Sequence, residues 1–535
     1  MLWVLFTCYA RRTMFIKRAI ARGITYLQLV ESVWVNGRSK HRLLKSLGRE
    51  DELDKGEIDR LRASLKRYGS EEGDDQAQID LSELELHSGK EVGRLLPLEA
   101  IWRKLKLGEL IKELAASRRF SFAAESVIKA IVFMRVLSPG SERALVRSWL
   151  RSVYDPEFEG IELQHTYRAL TFLAEVGQKL EAKLTQVMTD KLFADASLLL
   201  FDTTSTYFET TSTNDLVSFG FPRDKRADRP RVGIGLLTSR EGLPLAHWLY
   251  PGKQPDVVSM AKASTEFRHR LNLGSFVLVA DRGMVSETNL RTLREQGITY
   301  IIAERLKRAK AREALKRAGR YKRVSPNLEV KEIKQSGPER LLLCRNLEAV
   351  KEDAREREAI VSYLEEQLAT GSYRKSLKAS ARRYLKLEAD SAEIDFAKVK
   401  ADAKLDGKWV LRTTTSLPPE EVALAYRGLW RIERTFRTLK TPLELRPMFH
   451  HSEAGIRGHV QACMLAYVIH RILDDRLEAS HLTLNVDEAL SRLSGIQRAT
   501  ITVGRHRIER TSVPDEEQVE ILKALRTPLP EPIRA

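Results

Sequence analysis

The chain has 535 residues, enough for about three or four domains and an enzyme-sized core. Its 90 Lys and Arg against 73 Asp and Glu leave a formal charge of +17 and a pI near 9.6, which favours a polyanionic partner such as nucleic acid over an acidic small molecule. Three scattered cysteines, Cys8, Cys344 and Cys463, exclude a disulfide framework and a cysteine zinc site, and fit a reducing cytoplasm. The opening residues 1–10 are apolar but too short to span a membrane, and Arg11 and Arg12 follow the run rather than precede it. That is neither a membrane anchor nor a signal peptide, so no membrane partner is expected, and a polar, basic start begins at Met14.

Residues 24–35 are rich in β-formers, and Asn36-Gly37 supplies a type I′ turn before a basic return strand, 38–47. A helical pattern over 52–68 and an acidic, Gly-containing linker at 69–75 follow, so 14–90 reads as a small β-hairpin unit with its linker. Residues 91–193 carry helical periodicity and read as a helical, DNA-binding domain, broken at Ser138-Pro139-Gly140. The helix expected over 141–153 places Arg143, Arg147 and Arg151 at four-residue spacing, either a basic stripe for DNA or a solvated face.

From 197 the pattern turns to mixed α/β. Leu198 to Phe201 run apolar into Asp202, which reads as a buried central strand carrying one costly carboxylate. Strands are expected at 231–238 and 243–250, a helix at 257–271, a continuous apolar strand at 276–280 ending on Asp281, a helix at 286–296 and a strand at 298–303. That order is the one found in a ribonuclease-H-like fold. The catalytic core is thus assigned to 194–304 and 406–480, interrupted by an inserted α+β domain at 305–405, with a C-terminal segment at 481–535. The insertion opens with ten Lys or Arg and one Glu over 305–323, a block that either contacts DNA or is simply solvated. A strand at 408–413 carries Trp409.

A single helix is expected over 418–440, capped by Ser416 and stopped by Pro442. Seven residues make almost two turns, so Tyr426, Glu433 and Lys440 share a stripe, with Arg437 beside it. Asp202, Asp281 and Glu433 can meet in one site, where divalent cations relieve their repulsion; Mg²⁺ or Mn²⁺ suits such oxygen donors, and two ions suit in-line phosphoryl displacement. Glu209 is expected beyond the site. His450, His451 and His459 match no zinc spacing, and 456–473 reads as a structural helix.

The motifs D-T-T at 202–204, V-A-D-R-G at 279–283 and Y-R-G-L-W-R-I-E-R-T-F-R-T-L-K at 426–440 resemble those of the ribonuclease-H-like DDE transposases of bacterial insertion sequences, the group with a Y-R-E-K signature. The resemblance spans roughly 190–475. It implies that Asp202, Asp281 and Glu433 hold two Mg²⁺ or Mn²⁺ ions. It further implies DNA contacts from Tyr426 and Lys440, joined by Arg437, by Arg282 beside the second acid, and by Trp409 as a base-stacking residue, the alternative for Trp409 being a core position. The signature's Arg is replaced by Leu429, so Arg427 or Arg431 supplies that contact or it is absent, and Met284 stands where an aromatic is common.

The activity so implied is binding of terminal inverted repeats, cleavage at the ends and transfer of 3′-hydroxyl strands to target DNA by a homodimer on double-stranded DNA, in a cytoplasmic, nucleoid-associated protein. The alternatives are a nuclease of the same fold without strand transfer, and a non-catalytic, domesticated DNA-binding protein.

Overall fold

The computed structural model describes residues 14–49, 84–192, 197–209, 212–220, 228–304, 313–333, 337–371, 377–387, 392–503 and 506–530, apart from positions 22, 36–37, 88, 272, 285, 316, 318, 442 and 447. The Asn36-Gly37 turn, the helix at 52–68, the linker at 69–75, Pro442, Cys8 and the first half of the basic block at 305–323 lie outside these residues. The chain divides into two units, one formed by the residues up to Glu85 with 502–506, the other by the rest.

In the first unit, β1 (Met14–Ala21), β2 (Ile24–Val35) and β3 (Arg38–Arg49) form an antiparallel sheet. β2 and β3 are the expected hairpin; β1 is an additional strand, paired to β2 from Met14↔Glu31 to Ala21↔Ile24. Glu31 and Arg42 face each other across β2 and β3 and form a 2.7 Å ion pair, the cross-strand contact that helps fix register.

The second unit begins with helices α1 (Leu95–Lys104), α2 (Leu107–Ala115), α3 (Ala124–Leu137) and α4 (Leu163–Leu192). Every residue of α3 except Leu137 is buried, so its polar members need partners. Lys129 finds Glu99 at 3.2 Å, Asp155 at 3.3 Å and Glu157 at 2.6 Å. Glu125 accepts from Trp102 Nε1 at 2.9 Å. The expected continuous helix over 141–153 is instead interrupted: a short α turn, Glu142–Ala144, passes into a π turn, Leu145–Trp149, and back to α at Leu150–Ser152. Ser148 Oγ donates to the Ala144 carbonyl at 2.8 Å, a side-chain competition that bends helices. Arg143, Arg147 and Arg151 are all exposed.

The rest of this unit is built on β4 (Leu198–Tyr207), β5 (Arg231–Ser239), β6 (Pro244–Pro251), α5 (Asp256–Arg270), β7 (Val277–Ala280), α6 (Glu287–Glu295) and β8 (Thr299–Glu304). They are followed by β9 (Lys322–Ser325), β10 (Leu328–Ile333), β11 (Arg340–Asn346), the charged helix α7 (Leu347–Ala369) and β12 (Lys408–Thr413). All nine strands make one mixed sheet, in the order β9-β10-β11-β12-β8-β7-β4-β5-β6. β4 is central: parallel to β7, which is parallel to β8, and antiparallel to β5. Three strands from the segment expected as an insertion thus extend the core sheet. The part beyond them has a small core of its own at Leu364, Ala381 and Tyr384.

Arg412, on β12, ties three strands together. Its guanidinium, 3% exposed, reaches Glu339 at 2.7 Å and Glu287 at 2.8 Å, and Tyr300 Oη donates to the same Glu339 at 2.5 Å. Between α7 and β12 lies α8 (Phe396–Ala403), and after β12 the chain runs through α9 (Pro419–Arg427) and α10 (Trp430–Lys440) to the long helix α11 (Glu453–Glu478), which packs on α4 and on α3. A Cβ at Gly458 would lie 2.1 Å from the Leu170 carbonyl oxygen, so only glycine allows so close a crossing. Among the described residues no helix is long and apolar enough to cross a membrane.

Candidate active site

Two of the expected acids come from adjacent strands. Leu198 to Phe201 on β4 are buried at 5% exposure or less, and Phe201 pairs with Ala280 of β7 in parallel register. Each strand carries its acid at the next position, so Asp202 and Asp281 follow side by side on two adjacent interior strands. Both are half-buried. Asp202 Oδ1 accepts from the Thr203 backbone N–H at 2.7 Å. Asp281 leads into a 3₁₀ turn, Arg282–Met284, with Met284 buried beneath it at 3% exposure.

The third acid, Glu433, lies on the second of two helices rather than on the single one expected: α9 (Pro419–Arg427) and α10 (Trp430–Lys440) flank a turn at Gly428-Leu429.

 α9 starts at Pro419 behind Pro418, with no side-chain cap, so Ser416 does not cap it. At the break, Leu429 N–H bonds the Tyr426 carbonyl and Arg431 N–H the Gly428 carbonyl, at 3.1 and 3.0 Å. These i→i+3 bonds tighten the turn locally. Glu433 then falls in the first turn of α10, the end where the helix dipole favours a carboxylate.

Asp202, Asp281 and Glu433 line one cavity of about 310 Å³, together with Trp409, Tyr426, Arg427, Leu429 and Trp430. Tyr426 Oη donates to Asp281 Oδ1 at 2.9 Å. Burial pushes the Tyr426 phenol above its ordinary range, and the negative charge of Asp281 adds to the shift. The carboxylates share the cavity without forming one tight nest, since no oxygen from each comes within 4.8 Å of the other two. An adjoining cavity of about 340 Å³ shares Arg427 and Trp430 and adds Arg240 and Arg431, so a cationic surface continues from the acidic one.

The other expected residues are distributed as follows. Trp409 faces the acidic cavity, and its Nε1 is buried without a partner. Arg282, Arg437 and Lys440 do not line it; the first two are exposed and Lys440 is half-buried. Glu209 pairs with Arg229 at 3.2 Å, away from the acids. Trp430, 48% exposed, was not anticipated; Arg431 lies over its ring at 5.1 Å. Its spacing of four from Tyr426 was a readable signal, because that spacing puts two side chains on one helical face.

Residues 194–469 match the family described as the transposase DDE domain. Residues 16–78 match the N-terminal domain of IS1634 family transposases. Among solved structures, the piggyBac transposase synaptic complex with hairpin DNA is similar at 11% identity and a TM-score of 0.37, over 76% of this chain and 82% of that one. No curated protein matches the sequence significantly.

Proposed function

The chain belongs to the DDE transposases of insertion sequences, and from that premise we propose that it binds the terminal inverted repeats of its element, cleaves at the ends and joins the freed 3′-hydroxyls to target DNA. The observation that carries this reading is the single cavity lined by Asp202, Asp281 and Glu433. Its support from the fold is the strand order β6-β5-β4-β7-β8 with β4, β7 and β8 parallel, the arrangement of a ribonuclease-H-like core.

The donor set fits a hard divalent cation: three carboxylates spread around one cavity offer only oxygen ligands, the preference of Mg²⁺ and Mn²⁺. Asp202, Asp281 and Glu433 would hold such ions, which would supply polarisation of the scissile phosphate and activation of the attacking oxygen. The chain's own residues do the positioning. Tyr426 holds Asp281 in one orientation. Trp409 and Trp430 offer flat faces to unpaired bases, while Arg427 at the cavity and Arg431 in the adjoining one, with Arg282, Arg437 and Lys440 outside the acidic cavity, hold phosphates. Two ends joined together require two active sites, hence a homodimer on DNA.

A pre-cut transposon end incubated with plasmid target and Mg²⁺ tests this reading. Joined products are expected; hydrolysis without joining would assign the chain as a nuclease instead.

A further inference from the structure

Outside the acidic cavity, three side chains from distant parts of the second unit meet. Glu142 begins the short turn after Gly140, His450 lies in the segment after α10, and His459 sits in the first half of α11. One ligand atom from each lies within 4.8 Å of the others, with His450 Nε2 3.5 Å from Glu142 Oε1. The two imidazoles are 5.1 Å apart, centroid to centroid. Glu142 and His459 are each 6% exposed.

The His459 ring carries the second observation. Its Nε2 is buried with no hydrogen-bond partner. In a neutral imidazole protonated on the other nitrogen, Nε2 is a free lone pair, the form in which histidine binds a metal. A buried polar atom left unsatisfied is costly, so a group that engages this lone pair stabilises the fold.

We propose that Glu142, His450 and His459 form a second metal site, distinct from the acidic cavity, that takes a borderline transition cation, Zn²⁺ above all. Two imidazoles and one carboxylate are an established zinc donor set, with the fourth position left open. Mg²⁺, which demands oxygen ligands, is disfavoured there, so the two sites select different ions. Arg135 is buried close enough for its charge to act on both Glu142 and His459. It opposes a dication and Glu142 offsets it, so binding is of moderate strength. Because Glu142 belongs to the helical layer, and His450 and His459 to the segment after the third acid, the ion clasps one to the other.

The test uses full-length protein stripped with chelator, titrated with ZnCl₂ by calorimetry and with CoCl₂ by visible absorption. One equivalent of Zn²⁺ is expected to bind the wild type, and equally the combined Asp202→Asn, Asp281→Asn, Glu433→Gln variant, with Co²⁺ giving the visible bands of a four-coordinate N/O site. Glu142→Gln and His450→Gln, each checked for wild-type circular dichroism, are expected to bind at least fivefold more weakly. The proposal is overturned if the wild type binds no Zn²⁺, if the combined variant loses it, or if both folded single variants stay within fivefold of wild type.

Discussion

Replacing Tyr426 by Phe removes one oxygen and leaves the ring that lines the cavity. That oxygen donates to Asp281 Oδ1 at 2.9 Å, and a hydrogen bond to a charged acceptor contributes about 1.5–3 kcal/mol. At about 1.4 kcal/mol per tenfold, its loss corresponds to about 10- to 150-fold. The same range follows from another route, since outer partners of ligating carboxylates typically matter by about 10- to 100-fold in metal affinity or activity. Single-turnover cleavage of a transposon-end duplex across a Mg²⁺ titration reads both effects. Y426F is expected to cleave about 10- to 100-fold more slowly at limiting Mg²⁺, with end binding unchanged within experimental scatter. Cleavage equal to wild type throughout the titration would refute the positioning role.

Further outcomes follow from other parts of the fold. Arg412→Met removes a cation that pairs with both the buried Glu304 and the buried Glu339 and is expected to cost about 3–5 kcal/mol; a urea midpoint close to wild type would contradict it. Gly458→Ala drives a Cβ to 2.1 Å from the Leu170 carbonyl and, as overpacking, is expected to cost about 1–3 kcal/mol, read as a lower thermal midpoint. Trp409→Ala is expected to weaken binding of an end with an unpaired base by the stacking contribution, about 1–3 kcal/mol, with Trp409→Phe recovering most of it; loss of stability without loss of binding would make Trp409 a core residue.

The two aspartates were legible because local sequence settles their placement. An apolar run long enough for a buried strand, ended by a carboxylate, reads the same in the chain at Leu198–Asp202 and at Val277–Asp281, and the parallel register then aligns them. Glu433 was legible through helical spacing from Tyr426, although the helix is broken at Gly428-Leu429 by bonds that spacing cannot reveal. The limits lie where distant segments decide the outcome. That β9, β10 and β11 join the core sheet depends on pairing β11 with β12, about sixty residues later, and composition near 305–346 carries no mark of it. The π turn at Leu145–Trp149 is equally silent in a pattern that reads as α-helix. His450 and His459 were visible, but their partner Glu142 stands some three hundred residues earlier, beyond any spacing rule.

The central claim is that Asp202, Asp281 and Glu433 act together as one catalytic set. Its most direct measurement is Mg²⁺-dependent cleavage of a transposon-end duplex by Asp202→Asn, Asp281→Asn and Glu433→Gln, with end binding measured in parallel. Each substitution alone is expected to reduce cleavage to background while the protein still binds the end. Wild-type cleavage by any one of the three would remove that residue from the set and contradict the account.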